Sequence, residues 1–382
     1  MEKPSLLILS FSDLYRDARL LKQINLFKDD YDVTTCGYGP KPVEGVEHIE
    51  IPLDQGMWNL NGRLITAKLY NQVYWRLDGV RWVWNRLSGR KFDVVLANDY
   101  DTVPIGVRLK PRGGVHADLH EYAPAQLEHD PAWKRRIAPW RTWVLKKYAT
   151  KAASATTVSQ GLADRYQSEF GFLPELVTNA APFADLSPTP VPSPLRQVHH
   201  GGANPNRGLD RLIHAAMASD KDFIFDLYLA RASAGWVDDL REVAAGDARI
   251  TVRDAVPYSE LIPLLNDYDV GFSTILPNTF NLKHALPNKI FDYVQARVGI
   301  ITGPSPEMAR LVGDHDLGLV LPSFAEQPLT NAINNLDADA IATWKNNANT
   351  VAYELSSERQ NEGWATPISQ LADQARANGA RS

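Results

Sequence analysis

The chain has 382 residues, with 40 Lys and Arg against 45 Asp and Glu and a formal net charge of −5. At about 100–200 residues per domain this length fits two domains, each large enough to bury a core, and the mild acidity argues against a protein whose whole surface serves nucleic acid. No run of about 20 apolar residues is present to span a membrane, and the single cysteine, Cys36, excludes an intrachain disulfide and a cysteine-built zinc site. A cytoplasmic compartment is the simplest reading.

Taken in chain order, short aliphatic or β-branched runs alternate with longer helical patterns. In the first half the expected strands are 5–9, 32–35, 94–96, 115–119, 156–158 and 175–177, with a helix at 18–27. Five prolines between Ala181 and Leu195 remove backbone donors and read as a semi-rigid linker. The second half repeats the pattern. Strands are expected at 196–200, 225–229, 250–252, 270–273, 299–302 and 318–321, and helices at 209–217, 259–266, 289–295 and 306–312. Such alternation implies parallel sheets covered by helices on both faces. Two doubly wound, Rossmann-like α/β domains facing a central cleft are therefore expected, over residues 1–182 and 196–345, joined by 183–195. A polar helical tail, 346–382, is placed back on the first domain, and Trp344, Tyr353, Leu355 and Trp364 are the expected anchors near the chain's end. In sheets of this kind ligands bind beyond the carboxyl ends of the strands.

Two segments in the second half suit an anion. In Val198-His-His-Gly-Gly-Ala-Asn-Pro-Asn-Arg-Gly-Leu209 a strand runs into the Gly201-Gly202 pair and then into a helix. Glycine permits close backbone approach, and a helix start offers free N–H groups. Arg207 stands where that helix begins. Neither G-x-G-x-x-G nor G-x-x-x-x-G-K-[ST] occurs in this segment, so no dinucleotide fingerprint or P-loop is supported. The second segment is His284-Ala-Leu-Pro-Asn-Lys-Ile-Phe-Asp-Tyr293. Pro287 suits the first helical position, Asn288 and Lys289 fall in the first turn, and Asp292 follows Lys289 at i+3. A lysine there opposes the helix dipole unless an anion is bound. A surface Lys–Asp pair is the plainer reading, and phosphate on Lys289 with a sugar hydroxyl on Asp292 is the functional one. In the first half, Asn98-Asp-Tyr-Asp-Thr102 and Asp118-Leu-His-Glu121 close two strands with polar clusters that, taken singly, read as loop caps.

These segments, with Asp17-Ala-Arg19 and Thr157-Val-Ser-Gln-Gly-Leu-Ala163, resemble the family 4 retaining glycosyltransferases of GT-B fold over roughly residues 5–325. The resemblance implies a metal-independent enzyme without a cofactor. It would move a sugar, with retention, from a nucleoside-diphosphate sugar to a glycan or lipid-linked acceptor in surface polysaccharide or glycolipid synthesis. It implies donor binding by Gly201, Gly202, Arg207, Asn288, Lys289 and Asp292, and a catalytic set of His120, Arg207 and Lys289. His120 would face the donor sugar, and a leaving phosphate oxygen would accept the acceptor's proton. Asp17, Arg19, Asp99 and Glu121 are the acceptor-side candidates. Asp292 stands where the family has Glu, His284 where it has the first Glu of its E-x(7)-E motif, Gly201 where a basic residue is frequent, and Arg297 and Gly299 where Gly and Pro are frequent. A non-hydrolysing sugar-nucleotide epimerase and a non-catalytic two-domain sugar- or nucleotide-binding protein are the alternatives.

Charge is unevenly spread. Residues 63–91 and 133–151 each carry seven Lys and Arg, with Asp78 the lone acid, and they interleave with Tyr70, Tyr74, Trp75, Trp82, Trp84, Trp133, Trp140 and Trp143. This composition suits an anionic membrane surface, an aromatic acceptor groove, or a core of tryptophans beneath solvated charges. Nucleic acid is not expected as a partner. A peripheral position on the inner face of the plasma membrane is the localisation that the first of these readings carries.

Overall fold

A computed structural model describes residues 3–231 and 235–379, which divide into two compact units. Unit 1 comprises Met1–Val177, Thr279–Asn281 and Asn361–Ser382, and unit 2 comprises Thr178–Asn278 and Leu282–Gln360. Unit 1 holds β1 (Ser5–Asp13), β2 (Asp32–Tyr38), β3 (Glu47–Glu50), β4 (Val94–Asn98), β5 (Gly114–Leu119), β6 (Ser154–Thr157) and β7 (Glu175–Leu176), in the order β3-β2-β1-β4-β5-β6-β7. Unit 2 holds β8 (Leu195–Ala203), β9 (Phe223–Arg231), β10 (Ile250–Asp254), β11 (Val270–Ser273), β12 (Gly299–Thr302) and β13 (Gly318–Val320), in the order β10-β9-β8-β11-β12-β13. All pairings are parallel. Strands β4, β11 and β12 are buried along their whole length, as continuous apolar runs under helices on both faces must be.

Each sheet reverses its strand order once, between β1 and β4 and between β8 and β11. At those points helices diverge to opposite faces and leave the strand ends uncovered. The twelve expected strands are all present, most of them longer than their apolar stretches. β3 is the addition. Its sequence, Glu-His-Ile-Glu, has one apolar residue in four and escapes a hydrophobic pattern because it is an edge strand, held by register with Thr34–Gly37.

Two segments behave differently from their composition. Residues 183–195 lie within unit 2 and are strapped down there: Phe183 N–H donates to Glu358, Ala184 N–H to Gln295, and Arg297 donates to the Ala184 carbonyl. The positive φ of Arg297, 58°, aims this side chain inward, where a glycine would supply no donor. The tail divides. The Ala338–Val351 helix belongs to unit 2, with Trp344 against Gly299, and the Glu362–Gly379 helix to unit 1, with Trp364 fully buried. Tyr353, expected as an anchor, is exposed.

The last helix approaches its sheet closely at Gly113, where a Cβ would lie 1.9 Å from the Leu371 carbonyl oxygen. Backbone cannot give way as a side chain can. Gly113→Ala is therefore expected to lower the stability of unit 1 by about 1–3 kcal/mol in chemical denaturation; an unchanged midpoint would mean that the helix moves aside freely.

Candidate functional site

In unit 2 the β8 strand carries His199 and His200 and then turns through Gly201, at φ 124°. Its positive φ is what favours glycine here; a Cβ would stand 3.6 Å from the Lys289 amine, an ordinary contact, so the amine lies close over this part of the strand. Lys289 is the second residue of the Asn288–Gln295 helix; Pro287 precedes the helix rather than opening it. The amine does not pair with Asp292. It donates to His199 Nε2 at 3.1 Å, and His199 Nδ1–H donates to the Phe272 carbonyl at 3.0 Å, which fixes the tautomer with its lone pair on Nε2. Burial and the Lys289 charge keep His199 neutral. Burial and the neighbouring Arg207 cation push the Lys289 amine down to about 7, against the pull of Asp292.

Asp292 is 2% exposed. Its Oδ1 accepts from the Tyr258 hydroxyl at 3.0 Å, and its Oδ2 lies 3.6 Å from His200 Nε2. The expected ribose contact therefore meets a carboxylate already held from behind. Arg207 ends the Pro205–Arg207 turn, half-buried, and its guanidinium has no hydrogen-bond or ion-pair partner among the described residues. Burial lowers its pKa without discharging a guanidinium. Gly202 continues β8, and Asn288 is exposed at the helix start. His284 hydrogen-bonds Glu307 at 3.3 Å, so a carboxylate stands directly behind the histidine.

Unit 1 gathers a second cluster at the ends of β4 and β5. Asp118 is fully buried and accepts from Arg19 Nε at 2.8 Å and Nη2 at 2.7 Å, from Gln23 at 2.7 Å and from the Thr156 hydroxyl at 2.7 Å. Burial works against this carboxylate, but Arg19 and His120 hold it well below the usual range. His120 bridges Asp118 (Nε2, 3.1 Å) and Asp99 (Nδ1, 3.4 Å). Burial opposes the imidazolium, yet the two carboxylates outweigh it and raise its pKa. Asp99 adopts φ 62° and accepts the His120 N–H at 3.1 Å, a backbone conformation that aspartate tolerates better than most residues.

Two of the acceptor-side candidates are engaged within unit 1. Arg19 is 7% exposed, committed to Asp118, to the Val177 carbonyl and, at 4.5 Å, to the Trp364 ring. It is an internal cation that ties the first helix to β5 and the last helix. Asp17 caps the Ala18–Phe27 helix, accepting from the Arg19 and Leu20 N–H groups and from Ser12. Asp99, His120 and Glu121 do come together, in a pocket of about 380 Å³ that Tyr100, Asp101 and Arg141 also line. Burial and Asp99 push Asp101 up to about 7, and burial with the same neighbour raises Glu121. Asp101 and Arg141 carry no sequence signal of their own, one being the third polar residue of a short loop and the other one of seven cations on a basic stretch.

Among the described residues no group of three or more His, Cys, Asp or Glu is arranged to hold a metal ion, and no helix is long and apolar enough to cross a membrane. The tryptophans of the basic segments face inward: Trp133 and Trp140 are buried, and Trp75, Trp82, Trp84 and Trp143 pack against the unit 1 core. Cations stack on several of them, Arg86 at 5.1 Å from Trp82, Arg141 at 5.2 Å from Trp133 and, from outside these segments, Arg108 at 4.3 Å from both Trp75 and Trp84.

Residues 25–186 match the model of Glycosyltransferase Family 4, in line with the resemblance carried by the motifs. No curated protein sequence gives a significant match. Solved structures agree over nearly the whole chain. HepE of Anabaena in complex with UDP-glucose matches with a TM-score of 0.67 at 16% identity, over 96% of this chain and 99% of that one. Sucrose-phosphate synthase from Thermosynechococcus elongatus matches with 0.66 at 14%, over 100% of both chains. WaaG, a glycosyltransferase involved in lipopolysaccharide biosynthesis, matches with 0.64 at 12%, over 93% and 98%. The fold is thus GT-B, the class in which two parallel-sheet α/β domains are joined in one chain.

The His120 bridge has a measurable consequence. With its pKa raised in the folded state, its stabilisation is complete below the unfolded value of about 6.5 and is lost as pH rises through the folded value. Asp99→Asn removes one of the two carboxylates, so NMR titration should show the His120 pKa falling; an unmoved titration would dismiss the Asp99 interaction.

Proposed function

We propose that the protein is a retaining glycosyltransferase that moves a sugar from a uridine-diphosphate sugar to a glycan or lipid-linked saccharide. The observation that carries this reading is the pairing of Arg207 and Lys289 at the carboxyl edge of the unit 2 sheet. They are two adjacent cationic side chains with Asp292 the carboxylate acting on Lys289 among the described residues, set over a bare glycine and at the start of a helix. An anion there gains both charges and the free N–H groups of the Asn288–Gln295 helix. A sugar nucleotide brings its own leaving group, so the protein's task is to stabilise the charge that grows on diphosphate, which these donors do without metal. The family 4 match and the solved relatives bound to UDP or UDP-glucose support the choice of donor.

Asp292 is assigned to the donor's ribose, whose hydroxyl would share the carboxylate with Tyr258. His120 is assigned to the donor sugar, and the pocket of Asp99, Asp101 and Glu121 to the hydroxyl groups of the acceptor. Lys289→Ala and Asp292→Ala are each expected to abolish transfer from UDP-sugars while circular dichroism stays unchanged, with Asp292→Ala costing about 1–3 kcal/mol of stability through its orphaned Tyr258 partner. Near-normal turnover in both would remove the donor-site assignment. Formation of an epimer from donor alone, without acceptor, would favour epimerase chemistry instead.

A lipid-linked acceptor also asks for a membrane-facing surface, and we assign it to residues 53–69 of unit 1. Leu53, Trp58 and Leu69 are 78%, 67% and 44% exposed, beside the exposed Arg63 and Lys68, and Arg136 lines the same open pocket as Arg63. Apolar side chains flanked by cations suit an anionic bilayer. Binding to phosphatidylglycerol vesicles should exceed that to phosphatidylcholine, weaken with salt, and fall several-fold in Leu53→Glu/Trp58→Glu; equal binding to both vesicles would reject this surface.

A further inference from the structure

In the unit 2 site, His199 is the partner of Lys289 to which the donor assignment gives no role. His199 is buried, its Nδ1–H spent on the Phe272 carbonyl, and its remaining lone pair points at the Lys289 amine. A neutral imidazole held this way accepts a hydrogen bond from either protonation state of the amine and prefers the ammonium. Around the amine stand Arg207 from the turn after β8, His200 from β8 itself and Asp292 from its own helix. Asp292 is shared with Tyr258 of the Tyr258–Leu265 helix and lies 3.6 Å from His200.

We propose that His199 is a positioning residue of the anion site, and that the His199–Lys289 pair takes up one proton as a nucleoside diphosphate binds. The proton comes from solvent and is carried on Lys289 Nζ, so a new N–H⁺ faces the entering phosphate oxygen while His199 Nε2 keeps the amine in line. In the free protein burial and the nearby Arg207 charge lower the amine's pKa to about 7, so that it is part-charged near neutrality and largely neutral at pH 8. An arriving diphosphate reverses the sign of the local field and restores the ammonium. The inference rests on the donor reading above and deepens it: affinity for the leaving diphosphate becomes pH-linked, tightening as the amine is charged.

Two measurements test it separately. In the free protein, the pH dependence of Lys289 acylation, read by mass spectrometry, should reach half its maximum near pH 7, against about 10.4 for an unperturbed lysine. Half-reactivity at that unperturbed value overturns the proposal whether or not a nucleotide binds. In calorimetric titration of UDP at pH 8, comparison of a buffer of low ionisation enthalpy with Tris should show uptake approaching one proton. Lys289→Arg, always charged, should show no proton uptake in whatever UDP binding it retains. His199→Gln, whose amide oxygen can replace the Nε2 acceptor, should stay near wild-type affinity, whereas His199→Leu should weaken UDP binding about tenfold. UDP binding without proton uptake, or equal losses in the Gln and Leu variants, overturns the pair's role. Lys289 titrating near 7 with no nucleoside diphosphate bound leaves the lowered amine pKa of the free protein standing and overturns the donor reading alone.

Discussion

A parallel sheet buried on both faces leaves only its strand ends for polar chemistry, and everything of functional interest in this chain follows from that constraint. The interiors of β4, β11 and β12 admit nothing but apolar packing. At the carboxyl ends the chain changes character within one or two residues: Leu96-Ala-Asn-Asp99 in one sheet and Val198-His-His-Gly201 in the other. Because both sheets reverse order next to these strands, the helices that would cover them diverge, and charged groups keep access to solvent.

The two units solve the problem of charge at a strand end in opposite ways. In unit 1 the charges are internally balanced. Asp118 is surrounded by Arg19, Gln23, Thr156 and His120, and Arg19 is in turn stacked on Trp364. Removing one partner from such a buried network leaves an uncompensated charge, so the network holds the first helix, β5, β6 and the last helix in one arrangement. In unit 2 the balance is deliberately one-sided. Arg207 and Lys289 stand together, and Asp292 is partly neutralised as an acceptor by Tyr258. The first arrangement supplies rigidity, and the second leaves positive charge beside the strand ends.

Placement explains which expected residues come together. Asp99, His120 and Glu121 stand where the strands end and share a pocket. Arg19 and Asp17, read from the same loop, turned inward because a helix N-terminus needs a cap and a buried aspartate needs a countercharge. The aromatic residues of the two basic stretches likewise turned to the core, since a ring on an amphipathic helix gains more from burial than its neighbouring cations lose by staying in water.

Alternation of apolar runs with helical patterns was enough to determine two parallel α/β units and nearly every strand, and the glycines and cations after β8 and at the start of the Asn288–Gln295 helix stand out in the sequence, because these depend on local periodicity and on residues close in the chain. The partnership of His199 with Lys289, ninety residues apart, the burial of Asp292 behind Tyr258, the edge strand Glu47–Glu50 and the inward turn of Arg19 were decided by tertiary structure alone. Each depends on which groups meet across the fold, and hydrogen-bond geometry and desolvation act on that spatial neighbourhood rather than on neighbours in sequence.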